Sequence, residues 1–378
     1  MKTSATILSP PRHGPVEATT AVGLKPPRAV VMWSALGALS LAVVLHGWLR
    51  WITSGTLEPT PGGPDQFGGG ELVLLRGLEF LSAGSAMVLI WSSLLRPLLR
   101  TRRLSWDGMM LIGALTAWFY EPVLNYFNPA FLFNTHLVQL GSWVRWIPGW
   151  DNPNADRLVE PLLFNLGGYA WFLCGIPMLG CALLRKMTTR YPRASGLQLL
   201  GVLLGFFVVL DFVLEVPLIM AKVWVWPGVP HWLTLWSGRY YQFPLLESVF
   251  VGCMLTSLTC LRFFRDDRGR SVAERGVDDL RWSDGRKRAA SFLAVVGLMH
   301  AIWFLTYIIP FNVLALKAGT YPALPSYLRQ GICGDGTDYA CPSEYVPIPH
   351  GRSVHVAPDD PRLPEHVRKQ QGMRPADR

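Results

Sequence analysis

The feature that most constrains this chain is a recurrence of long apolar stretches. Seven of them, at about residues 30–52, 72–95, 106–128, 161–184, 196–220, 245–264 and 289–315, carry very little charge. About 20 consecutive apolar residues suffice for an α-helix to cross bilayer hydrocarbon, and a helix satisfies its own backbone hydrogen bonds there. The expected fold is therefore all-α, a polytopic membrane protein of about seven transmembrane helices. The third stretch is the weakest, because it holds Asp107, Glu121 and Asn125, and the sixth is short. Composition agrees, since 16% of residues are charged against about a quarter in soluble domains.

Basic residues set the expected orientation. The linkers 96–103, 185–193 and 262–288 together hold 17 Lys and Arg, whereas the three opposite loops hold six: Arg50, Arg76, Arg145, Arg157, Lys222 and Arg239. The positive-inside rule places the richer set in the cytoplasm. With seven spans the N-terminus is then cytoplasmic and the C-terminus outside. The net charge of +9 is dispersed over short linkers beside spans, which argues against a nucleic-acid partner. Membrane lipids are the expected surroundings, and oligomeric state is not readable.

Three regions follow. Residues 1–29, rich in Pro, Ala and Thr and without the apolar core of a secretory signal, are expected to be a disordered cytoplasmic tail. Residues 30–316 form the membrane domain. Residues 317–378 are a Pro- and Gly-rich extracytoplasmic tail with too few apolar residues for a core of its own, the last twenty being expected to lack structure. Cys333 and Cys341, in "GICGDGTDYACP", are expected to form a disulfide there, where disulfides persist. The pairs Cys174/Cys181 and Cys253/Cys260 lie two turns apart on their helices and read as packing residues.

The acids within the spans bear on function. Asp211 and Glu215, four apart in "VVLDFVLEVPLIM", share one helix face. Glu79, Glu121 and Glu247 fall at a similar depth on other spans, and His300 is near mid-depth on the seventh. A carboxylate at the centre of a span costs about 2.5–3.5 kcal/mol on insertion scales. Several acids in one layer must therefore face one another or a shared polar cavity. A single buried acid often serves only to bond a neighbouring helix, and Arg76 is one turn from Glu79. As a layer, however, these residues point to a functional cavity, in which a neutral acid beside an ionised one suits general acid catalysis. The candidate catalytic residues are Asp211, Glu215 and Glu121. The candidate substrate-binding residues are Glu79, Asn125, Tyr126, Asn128, Glu247 and His300. No metal-ligand, nucleotide or haem motif is legible, so no cofactor is expected.

The stretches "WFYEPVLNYFN", "FNTHLVQLGSWVRWIPGW", "DFVLE", "FPLLESVFVGCMLTSLTCLRFFRDDRGRSVAERGVD" and "GICGDGTDYACP" together resemble the AveC-like spirocyclase family of actinobacterial membrane proteins. The resemblance runs over most of residues 30–350. It implies an enzyme of polyketide or related secondary metabolism in the bacterial plasma membrane. Such an enzyme would close an apolar dihydroxy-ketone to a spiroketal with loss of water. The oxocarbenium-like transition state of that reaction is the kind that paired carboxyls serve in glycoside cleavage. The alternative is a transporter or lipid-binding protein that uses the same acids for a proton-linked cavity without chemistry.

Overall fold

The computed structural model of the chain describes residues 29–150, 152–346 and 355–371. The expected N-terminal tail thus lies outside the described residues, except Ala29, which opens the first helix. Among the described residues, six helices are long and apolar enough to cross a membrane. They are α1 (Ala29–Thr53), α2 (Gly69–Thr101), α4 (Leu162–Arg190), α5 (Gly196–Met220), α6 (Leu245–Phe263) and α7 (Asp284–Ala315). Between α2 and α4 lies α3 (Trp106–Ala117), only 12 residues long. It continues as a 3-10 helix over Trp118–Asn125.

This differs from the continuous third span expected at 106–128. Pro122 lies inside the 3-10 segment. A proline has no N–H to offer the carbonyl four residues earlier, and its ring collides with it. That earlier residue is Trp118, where the α-helix ends. Prolines act similarly on three other helices. Wider π-helical turns occupy Ile90–Leu95 in α2, Trp171–Gly175 in α4 and Phe304–Ile308 in α7. Each is followed by a proline, Pro97, Pro177 or Pro310, whose fourth preceding residue lies within that turn. The helices thus continue past their prolines through locally wider turns instead of breaking.

Helix α1 packs along α7 with close backbone contact. A methyl group on Gly297 would overlap the Trp33 carbonyl, and one on Gly37 would overlap the Leu293 carbonyl. Small residues permit such approaches, which is how helices associate where no water drives them together. The main core runs through all the long helices.

On the side opposite the basic linkers, the loops and the tail build a cap. Strand β1 (Leu132–Phe133) pairs antiparallel with β2 (Trp224–Val225), and β3 (Thr234–Leu235) with β4 (Phe243–Pro244). A second apolar cluster joins Leu132, Val144 and Leu158 to Leu324, Leu328 and Ile332. The tail therefore shares a core with the 129–160 loop. Gln330 fastens the two, donating to the Phe133 carbonyl at 2.6 Å and accepting from the Val159 N–H at 3.1 Å. Cys333 and Cys341 are joined by a disulfide. The last twenty residues are not uniformly without structure. A short helix, α9 (Glu365–Gln370; α8 being Ser326–Arg329), buries Val367 fully, and the Gln371 side chain accepts from the Cys341 N–H. The physical reason is local: this segment anchors against the disulfide loop.

Candidate functional site

The centre is built from α5 and α6. Ser195 and Gln198 close a capping box that sets the start of α5. Its one buried stripe includes Leu203, Phe207, Asp211, Glu215 and Ile219, the spacing of a single helix face. Helix α6 begins after Pro244 and carries Glu247 in its first turn. Because α6 runs back along α5, that turn meets the acids of α5. One carboxylate oxygen from each of Asp211, Glu215 and Glu247 lies within 4.8 Å of the others. All three residues are buried.

Each carboxyl is held by a neutral donor. The Ser248 hydroxyl donates to Asp211 Oδ2 at 2.7 Å. The indole N–H groups of Trp224 and Trp226 both donate to Glu215 Oε1, at 2.7 and 2.6 Å. The Tyr307 hydroxyl donates to Glu247 Oε1 at 3.0 Å. None of these donors is a cation, so the trio is oriented without being neutralised. Among the described residues this is the one place where three His, Cys, Asp or Glu side chains converge closely enough to hold a metal ion, although no ligand spacing in the sequence suggests it. Three hard carboxylate oxygens would suit a divalent cation such as Mg²⁺ or Ca²⁺. They equally suit carboxyls that share protons.

A second acidic pair sits nearby. Asn165 on α4 donates to Glu121 Oε2 at 2.7 Å, and the Trp118 indole donates to Glu160 Oε2 at 3.0 Å. The Glu121 carboxyl lies close to the Glu160 carboxyl and to the Tyr169 hydroxyl. Glu121 lies in the 3-10 segment, immediately before Pro122.

The trio and Glu121, but not Glu160, line one cavity of about 520 Å³, within the usual size of small-molecule sites. Glu121, Asn165, Tyr169, Asp211, Glu215, Glu247 and Tyr307 supply its polar points. Phe131, Phe133, Phe164, Trp224, Trp226 and Trp303 supply much of its apolar wall.

The structure thus brings together Asp211, Glu215, Glu121 and Glu247. It places the other candidates elsewhere. Glu79 is fully buried, paired with Arg76 and accepting from the Val138 N–H at 2.6 Å, so it ties the 129–160 loop to α2. Asn125 accepts from the Phe131 N–H at 2.9 Å and turns the chain after the 3-10 helix. Asn128 donates to the Ala315 carbonyl at 3.1 Å and accepts from Tyr321 at 2.5 Å. The Tyr126 hydroxyl donates to the Gly149 carbonyl at 2.8 Å. His300 contacts Ser40 at 2.6 Å and the Gly113 carbonyl at 3.0 Å, in the packing between α1, α3 and α7. None of these five lines the cavity.

Sequence reasoning missed Trp224, Trp226, Ser248 and Tyr307 as partners of the acids. One signal was present: in "VWVWP" the two Trp alternate, so an extended backbone presents both on one face. Nothing local links Tyr307 to Glu247, 60 residues earlier.

The family model described as spirocyclase AveC-like matches residues 101–327, which contain every residue of the cavity. No curated protein and no solved structure matches the chain.

Proposed function

Because the chain belongs to the AveC-like spirocyclase family, we propose that it is a membrane-integral cyclase that converts an apolar dihydroxy-ketone to a spiroketal. The supporting observation is the convergence of Asp211, Glu215 and Glu247 on an aromatic cavity within the helix bundle. In this reading α3 with its 3-10 extension completes a set of seven spans, with the N-terminus cytoplasmic and the cap outside. The substrate belongs to polyketide or related secondary metabolism, and the membrane is the bacterial plasma membrane.

The chemistry needs proton transfers and stabilisation of a cation. One substrate hydroxyl adds to the ketone and gives a hemiketal. Protonation of the hemiketal hydroxyl lets it leave as water, producing an oxocarbenium ion. The second hydroxyl attacks that ion, loses its proton and closes the second ring, so the net change is loss of one water. A protonated carboxyl of the Asp211–Glu215–Glu247 trio serves as the acid, and an ionised neighbour stabilises the cation. Glu121 accepts the proton of the attacking hydroxyl. The aromatic walls exclude water, which would otherwise trap the cation.

The test is metabolite mass spectrometry on a deletion strain complemented with the wild-type chain or with Asp211→Asn plus Glu215→Gln. The amide pair is expected to lower conversion by about 10²-fold or more, with accumulation of a species one water heavier than the lost product. Full conversion by the amide pair would refute the assignment. An unchanged set of compounds with altered export would favour a transporter.

A further inference from the structure

The cavity reaches the protein surface within the membrane span and not at its end. Trp171 on α4 and Val213 and Leu214 on α5 line it, and they are 42%, 58% and 49% exposed. Trp171 is nine residues into α4 and Val213 seven from the end of α5, which is about 14 and 10 Å along their helices. Both depths fall inside a hydrocarbon layer about 30 Å thick. What faces this mouth is therefore lipid. Towards the cap, the Trp226 indole and Phe131, which line the cavity, are buried, and the Gln242 amide donates to the Trp226 carbonyl at 2.7 Å, so packed side chains stand between the cavity and the cap.

The local backbone suits an opening here. Trp171 begins the π-helical turn Trp171–Gly175. Its ring lies against Gly175, where a Cβ would collide with it. Only glycine lets the indole lie flat along its own helix beside the mouth. π-Turns of this kind concentrate at functional positions.

We infer that the cavity is loaded sideways from the bilayer, through a mouth between α4 and α5 framed by Trp171, Val213 and Leu214, by an apolar molecule dissolved in lipid. Polar oxygens of the ligand lead inward to the carboxyls while its hydrocarbon part stays in the mouth. The inference rests on the reading of this cavity as the working site, but it concerns access and not turnover.

The test uses the full chain in membranes and two carbodiimides that label carboxyls: lipid-soluble dicyclohexylcarbodiimide, and a cationic water-soluble analogue. Peptide mass mapping would locate the N-acylurea adducts. Adducts on Asp211, Glu215 or Glu247 are expected from the lipid-soluble reagent, with little or none from the water-soluble one. Val213→Trp, which fills the mouth, is expected to lower that labelling several-fold. Val209→Trp, one turn away on the same exposed stripe and outside the cavity lining, is expected to leave it unchanged. Equal labelling by both reagents, no labelling by either, or indifference to Val213→Trp would each overturn the proposal. Because labelling needs no turnover, lipid access could be confirmed even if the amide variant showed the carboxyls to be non-catalytic.

Discussion

At the scale of single residues, this chain separates acids that tie the fold from acids that face a cavity. Glu79 and Asp107 belong to the first kind. Asp107 accepts two hydrogen bonds from Arg262 at 3.0 Å, fastening α3 to α6 at the end of the bundle that bears the basic linkers. Asp211, Glu215 and Glu247 have only neutral donors. That difference in partner type, and not acidity itself, marks the candidate site. If protons are what the trio handles, chelators should leave conversion by purified protein unchanged. A loss restored by Mg²⁺ or Mn²⁺ would reassign the trio to a metal. In the linker 264–283, Asp278 is bonded by Arg270 at 2.7 and 3.2 Å, and this guanidinium holds its carboxyl below the usual range. A depressed folded-state pKa means that the pair's contribution is present above about pH 4, the unfolded value, and lost as pH falls through the lower folded one. Limited proteolysis of this linker should therefore accelerate below about pH 4, and Asp278→Asn should remove that dependence. Retained acid sensitivity in the variant would assign it to other groups.

Among the elements, prolines and glycines decide how apolar helices are shaped and how close they come. The apolar runs were legible as helices because their composition leaves no alternative in lipid. Their irregularities were less so. The segment around Pro122 leaves the α-helix for a 3-10 helix that carries Glu121, whereas Pro97, Pro177 and Pro310 each follow a wider turn. The same residue type accompanies a tighter turn in one helix and wider turns in three others, while Pro217 sits inside α5 without interrupting it. The α1–α7 crossing offers a direct check. Gly297→Leu should push the helices apart and destabilise the protein by about 3 kcal/mol or abolish its accumulation. Gly84→Leu, where a Cβ would meet nothing within 4 Å, should have little effect on the thermal midpoint in detergent. Comparable losses at both sites would mean that close approach is not what holds α1 to α7.

For the whole molecule, a bundle of long helices is closed on one face by a cap that the linear chain scatters over four segments. The 54–68, 129–160 and 221–244 loops and the tail meet there, linked by β1–β2, by Gln330 and by Ser326, whose N–H donates to Asp65 Oδ2 at 2.7 Å. The disulfide closes a short loop within this cap. Replacing Cys333 and Cys341 by Ser should weaken the cap by about 2 kcal/mol. Proteolysis should then begin in the tail while the helical content of the bundle is kept. Loss of the whole helical signal would show that cap and bundle unfold as one unit.

What the sequence determined by itself is what composition and short-range spacing control: helical segments long and apolar enough to span a membrane, the shared face of Asp211 and Glu215, and an oxidised pair in the tail. These need only the rise of a helix, the cost of bare peptide groups in lipid and the proximity of two Cys eight residues apart. Tertiary structure alone decided which acids meet. Glu247 joins Asp211 and Glu215 from 32 residues away, Tyr307 arrives from another helix, and Trp224 and Trp226 reach Glu215 through a strand pairing with the 129–160 loop. Similar depth along the bilayer normal also described Glu79 and His300, yet they face other neighbours. Depth is one coordinate, and rotation about each helix axis, set by packing, supplies the one that a single sequence leaves open.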